Sequence, residues 1–185
     1  MNTPSLPALI LALTLPLAAQ STSEVHSEKT ITKIAFGSCN NPRDKTPAIF
    51  NAVIAKQPDV FVFLGDNIYG DTKDMDVLKK KYQELEAVED FRKLRESTTM
   101  LATWDDHDFG LNNGNGRNLK DGKAATRKAF VEYRARRNYG NDREGVYHKT
   151  DLGAIEIFHL DPRWFSQSEP SPVDPSQPSC FGKDQ

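Results

Sequence analysis

The stretch VFVFLGDNIYGD, residues 60–71, begins with five apolar residues and breaks at Gly65 into Asp66, Asn67, Tyr69 and Asp71. An apolar run with no polar alternate is the pattern of a strand buried on both faces, as parallel sheets require. Glycine lets the backbone turn at the strand end, and ligands of open α/β sheets bind just beyond such carboxyl ends. Turns also favour Asp and Asn for their own reasons. The flanking sequence has to separate a turn from a site.

Upstream, Ile31–Phe36 alternates, turns apolar and runs into Gly37-Ser38-Cys39-Asn40, a strand ending in a glycine turn. Thr46-Pro47 opens a helix with Ile49, Phe50, Val53 and Ile54 on one face, and Pro58 stops it. Strand, helix and strand with short links predict a parallel pair and an α/β class. Downstream, Asp74–Glu96 is a long charged amphipathic stretch with Met75, Leu78, Tyr82, Leu85, Val88 and Leu94 near helical spacing. A strand over Thr98–Trp104 ends in Asp105-Asp106-His107-Asp108, followed by a Gly/Asn-rich loop at 110–116 and a helix over about 121–137. Val146–Thr150 and Ala154–Leu160 read as strands joined by the turn Asp151-Leu152-Gly153, the second ending in Asp161-Pro162-Arg163. The Ser/Pro-rich tail at 166–178 reads as irregular.

At 185 residues the chain suits one domain, and a net charge of -2 supplies no global basic field for nucleic acid or an anionic membrane. The densest basic stretch, Arg127 to Arg137, reads as the solvated face of a helix whose apolar side carries Phe130, Val131 and Tyr133. The apolar run Ala8–Leu17 is shorter than the ~20 residues that span a bilayer, and Ala18-Ala19-Gln20 offers a cleavage site. Residues 1–20 are therefore expected to be a secretory signal, residues 21–30 a disordered lead-in, and the protein secreted or periplasmic. Export would permit a Cys39–Cys180 disulfide, the alternative to a working thiol at Cys39.

Four strands thus end in polar clusters: Cys39-Asn40, Asp66 to Asp71, Asp105 to Asp108, and Asp161 with Arg163. That recurrence exceeds turn chemistry and points to a metal-dependent site. A thiolate and a phenolate suit a strongly Lewis-acidic ion, with His and Asp extending the set. A carboxylate can bridge a second ion, and an amide oxygen such as that of Asn112 suits calcium. Two ions together can polarise a phosphoryl group and activate water, and Arg163 offers a fork of donors for phosphate oxygens. Asp105 reads as a loop anchor, Asp106 and His107 as the residues facing the site, and Asp71 and Asp108 as supporting loop residues. His107 is equally readable as a structural histidine. His26, His148 and His159 read as structural or solvent-exposed, and Trp104 as packing beneath the site.

Phe36-Gly37-Ser38-Cys39, Gly65-Asp66-Asn67-Ile68-Tyr69, Trp104-Asp105-Asp106-His107-Asp108 and Asp161-Pro162-Arg163 resemble, in order and spacing, the motifs of PhoD-like alkaline phosphatases. The resemblance runs from about Ile31 to the end. It implies a calcineurin-like metallophosphatase β-sandwich flanked by helices, hydrolysing phosphomonoesters or phosphodiesters with a metal-activated water and no covalent intermediate on the protein. It also implies an iron–calcium centre with Cys39 and Tyr69 on iron, Asp66 bridging, and Asn112 on calcium with Asn113 as the register alternative. Asp106, His107 and Arg163 would be the catalytic residues. The family's further ligands lie in a C-terminal Gly-Asp-x-His segment that this sequence lacks, so the chain reads as the N-terminal part of the domain. On that reading it is expected to be inactive alone, poorly soluble, and to expose Val60–Leu64 and Ile155–Leu160. A phosphodiesterase of teichoic acids or phospholipids is the nearest enzymatic rival. A non-catalytic calcium- or phosphate-binding fragment is the rival of another class.

Overall fold

The structure is a computed structural model and describes residues 30–41, 46–134 and 138–185. The expected signal segment, nearly all of the lead-in, His26 and residues 135–137 lie outside the described residues.

Strand β1 (Ile34–Gly37) leads to helix α1 (Thr46–Ala55) and strand β2 (Val60–Phe63). Helices α2 (Met75–Glu86) and α3 (Glu89–Ser97) then return the chain to β3 (Thr99–Ala102). The three strands form one parallel sheet in the order β1-β2-β3, with Ile34 beside Val60 and Val60 beside Thr99. The expected parallel pairing is therefore present. Every residue of β2 is buried, because each face of this central strand meets a different layer. Phe61 and Phe63 enter the main core with Phe50, Tyr82, Leu85, Phe91, Leu94, Trp104 and Phe130. Val60 and Val62 face the other way, where Leu101, Ile34, Leu152 and Ile157 cover them. The expectation that Val60–Leu64 would be exposed fails for all but Leu64, whereas Ile155, Phe158 and Leu160 are exposed as expected.

The long stretch at 74–96 is two helices. Ala87 stays helical, but Val88 adopts extended torsions (φ -69°, ψ 115°). The break lets Leu85 of α2 and Phe91 and Leu94 of α3 reach the same core, which one straight helix would not. Glu89 and Asp90 in the first turn of α3 suit the positive end of its dipole. At the start of α2, the Asp74 side chain accepts from the amides of Asp76 and Val77.

The Asp105–Asp108 segment, read as a loop, is the one-turn helix α4 (Asp106–Phe109). Helix α5 (Lys123–Arg134) packs against α2, and then β4 (His148–Asp151) and β5 (Glu156–His159) form a separate antiparallel hairpin. The two strands expected around the Asp151-Leu152-Gly153 turn are therefore present, and the fourth strand end belongs to this hairpin and not to the parallel sheet. It still reaches the others, because the hydroxyl of Thr103, just past β3, donates to the carbonyl of Leu160 at 2.8 Å. The described layers are helices, a parallel sheet and a hairpin. Among the described residues no helix is long and apolar enough to cross a membrane.

Candidate metal centre

Gly65 makes the first turn of the centre. Its φ of +120° suits a residue without a Cβ, and a Cβ there would lie 2.5 Å from that of Asp105. The ends of β2 and β3 can approach this closely only over a glycine. Four residues that follow or face this turn are left-handed without being glycine: Cys39 (φ 56°), Asp66 (φ 48°), Asp71 (φ 50°) and Asn113 (φ 57°). Such torsions cost free energy and persist where surrounding structure fixes them, commonly at functional sites.

Parallel pairing places Cys39 beside Asp66. The Cys39 amide donates to the Gly65 carbonyl at 3.3 Å, the Asn40 amide to the Asp66 carbonyl at 2.8 Å, and the Cys39 thiol lies 3.5 Å from Asp66 Oδ2. Cys39 and Cys180 are both free cysteines, so the alternative disulfide does not form. Burial first, then the charges of Asp66 and Cys39, push the Tyr69 phenol up to about 12. The candidate anionic ligands Cys39, Asp66 and Tyr69 are thus neighbours. Asn112 is exposed on the loop after α4, while the neighbouring Asn113 donates its amide to Asp106 Oδ2 at 2.5 Å.

Asp66, Asp106 and His107 present ligand atoms within 4.8 Å of one another, a set that could hold a cation. Burial and the nearby Asp105 and Asp106 raise the Asp66 carboxyl above its ordinary value, against the pull of His107 and Cys39. Its Oδ1 is buried and has no hydrogen-bond partner. A buried, unpartnered carboxylate oxygen amid other carboxylates is poorly accommodated by protein alone and well accommodated by a cation. Asp66, Asp106 and His107 therefore fit a cation; of these, only Asp66 is among the metal ligands expected from the sequence.

His107 packs on Tyr69 with the rings tilted by 35° and their centroids 4.2 Å apart, and its Nδ1 lies 2.6 Å from Asp71 Oδ1. Burial pulls His107 down, but the bond to Asp71 and the charges of Asp71, Asp66 and Asp106 outweigh it, leaving its pKa raised. Arg163 pairs through Nε with Asp105, lies 3.3 Å from Asp106, and donates to the Gly114 carbonyl at 3.2 Å. Its fork clamps the Asp105-Asp106 turn to the Gly/Asn-rich loop.

Two buried carboxylates support this arrangement. Asp161 accepts from Trp104 Nε1 and from the amides of Val146, Arg163 and Trp164. It is an internal anchor that holds Trp104 beneath the site and presents Arg163. Asp108 accepts from Asn67, Ile68, Asp105 and Tyr82, and burial pushes it to about 6 against these donors. Asn67 went unassigned in the sequence, although it is fully buried and receives a hydrogen bond from Arg134. The basic stretch is accordingly not wholly solvated: Arg127 caps the carbonyls of Gly145 and Tyr139, and Arg134 turns inward. His148 and His159, buried and stacked at 4.0 Å, belong to the hairpin and not to the centre.

The chain is similar to a solved structure described as "Structure of PhoD", with a TM-score of 0.68 at 16% identity over 86% of this chain. At that identity the likeness speaks for the fold. The aligned region spans 38% of that longer chain. No curated protein sequence matches. Residues 73–185, more than half of the chain, match the family model for PhoD-like phosphatase, and the chain belongs to that family.

Proposed function

We propose that the protein is an exported metal-dependent phosphoester hydrolase whose centre is built from Cys39, Asp66, Tyr69, Asp106 and His107. The observation that carries this reading is the buried, unpartnered Asp66 Oδ1 within a cluster whose ligand atoms lie within 4.8 Å. Cys39, Tyr69 and Asp66 would hold iron, and Asp66 and Asp106 would face a calcium ion, with Asn112 or Asn113 supplying an amide oxygen. Such ions supply Lewis-acid polarisation of a phosphoryl group and activation of water.

The chain's own residues divide the remaining work. Asp71 accepts from His107 Nδ1–H, which fixes the tautomer and leaves Nε2 to hold or deliver a proton to the leaving oxygen. Tyr69 packs against the ring and restricts its rotation. Arg163 keeps Asp106 aimed at the centre and adds positive charge beside a phosphate. Trp104, fully buried, closes the floor against water.

The test is iron and calcium uptake by the full 185-residue chain, then hydrolysis of p-nitrophenyl phosphate and bis-p-nitrophenyl phosphate. Asp66→Ala is the control. Uptake that vanishes in Asp66→Ala is expected of the metal centre; turnover that vanishes with it supports the hydrolase and overturns the expectation that the chain is inactive alone. Uptake without turnover favours the cation-binding reading, and absence of uptake removes the metal centre altogether. The ratio of the two substrates separates monoester from diester preference.

A further inference from the structure

We infer that Asp108 is the positioning residue that holds Asp66 in place against both Cys39 and the Asp106 loop, and through Asp66 sets the affinity of the centre for metal. This rests on the metal-centre reading proposed above. Asp108 is fully buried. Its Oδ2 accepts from the Asn67 amide at 3.0 Å, the Asn67 side chain at 3.0 Å and the Asp105 amide at 3.2 Å. Its Oδ1 accepts from the Ile68 amide and the Tyr82 hydroxyl, each at 3.2 Å. Asn67 and Ile68 directly follow Asp66, and Asp105 directly precedes Asp106. One carboxylate therefore ties together two loops that come from different strands and carry candidate ligands.

Asn67 extends the tie. Its side-chain amide also donates to the Thr103 carbonyl at 2.9 Å, and its own carbonyl accepts from the Asn40 side chain at 3.0 Å, one residue from Cys39. Its side-chain oxygen receives Arg134 from α5. The ends of β1, β2 and β3 thus meet on an Asp108–Asn67 pair that lies among protein atoms.

The chemistry demands an anion. Five donors converge on Asp108, four of them N–H groups that cannot reverse direction, and an ionised carboxylate offers about four lone-pair sites and no competing proton. An amide in its place keeps the shape but turns an NH2 group against either the Ile68 amide or the Asn67 and Asp105 donors. Donor facing donor pushes the loops apart, and the ligand oxygens move with them. Supporting partners of metal sites typically carry 10–100-fold in affinity when removed.

The experiment compares wild type, Asp108→Asn and Tyr82→Phe as full chains, with ferric nitrilotriacetate as probe. Bound iron is measured well below each metal-free Tm, and far-UV circular dichroism checks the fold. Asp108→Asn is expected to keep its secondary structure and bind iron ~10–100-fold more weakly. Tyr82→Phe removes one of the five bonds while its ring stays stacked on Tyr133, and a loss of a few-fold is expected. A folded Asp108→Asn with wild-type affinity overturns the inference. Should Asp108→Asn fail to fold, unchanged affinity in Tyr82→Phe overturns it. A wild type that binds no iron sinks the metal reading and this inference with it, whereas normal binding in wild type and variants sinks the inference alone.

Discussion

Replacing Asp161 by Asn removes one acceptor from a buried cluster and leaves the rest in place. The carboxylate takes Trp104 Nε1 at 2.7 Å and the Arg163 and Trp164 amides at 2.9 Å on Oδ1, and the Val146 amide at 2.8 Å on Oδ2. An asparagine keeps its oxygen where three donors converge and sets its NH2 against the amide of Val146, itself fully buried. One orphaned buried donor costs roughly 1–3 kcal/mol. For a domain of this size each kcal/mol lowers Tm by about 2–4 °C, so a fall of about 2–12 °C is expected. Asp161→Ala strands all four donors, roughly 4–12 kcal/mol in total, which rivals the ~5–15 kcal/mol that holds a whole domain. That variant should not fold. The assay is thermal unfolding of the metal-free chain by circular dichroism and tryptophan fluorescence, since both tryptophans touch Asp161. An Asp161→Asn protein melting with wild type, or a cooperatively folded Asp161→Ala, would refute the reasoning.

Three further outcomes can be checked. His107 has a raised folded pKa, so its contribution to stability is complete below the ordinary value of 6.5 and is lost as pH rises through the folded value. In Asp71→Asn the NMR titration of the His107 ring should shift to lower pH, and an unchanged midpoint rules out the Asp71 contact as its cause. Gly65→Ala combines backbone strain with a clash that brings the new Cβ within 2.5 Å of the Asp105 Cβ, each roughly 1–3 kcal/mol, and should lower Tm and displace Asp66; a wild-type melting curve contradicts the turn geometry. If Tyr69 binds ferric iron as a phenolate, the loaded chain is coloured and Tyr69→Phe shifts or weakens the visible band. An identical spectrum removes Tyr69 from the centre.

What could be read from the sequence was whatever a local pattern encodes. The unbroken run 60–64 marked a strand with two buried faces, and the polar residues behind Gly37, Gly65 and Trp104 marked the ends that converge. The break at Val88 was hidden because residues 85, 88, 91 and 94 keep an apolar spacing that a continuous helix nearly satisfies; tertiary packing chose the bend. Asp161 looked like a site residue because its strand ends as the others do, yet its four donors arrive from Trp104, Val146, Arg163 and Trp164, which only folding brings together. Asn67 went unassigned for the same reason. The side-chain environment of a buried polar group is non-local, and composition does not reveal it.

The parallel order β1-β2-β3 also governs when the centre can exist. Neither strand pair can be closed by a tight turn: each needs a crossover, and the contacts that define the centre join residues 27, 41 and 58 positions apart. Long loops must be closed before any of these contacts gives a return, which places the fold among slower folders. Residues 66–71 and 105–108 each carry part of the centre, but the bonds that hold each part in place come from the other segments. Release of bound metal would therefore report global unfolding, with a denaturant midpoint that coincides with loss of the sheet.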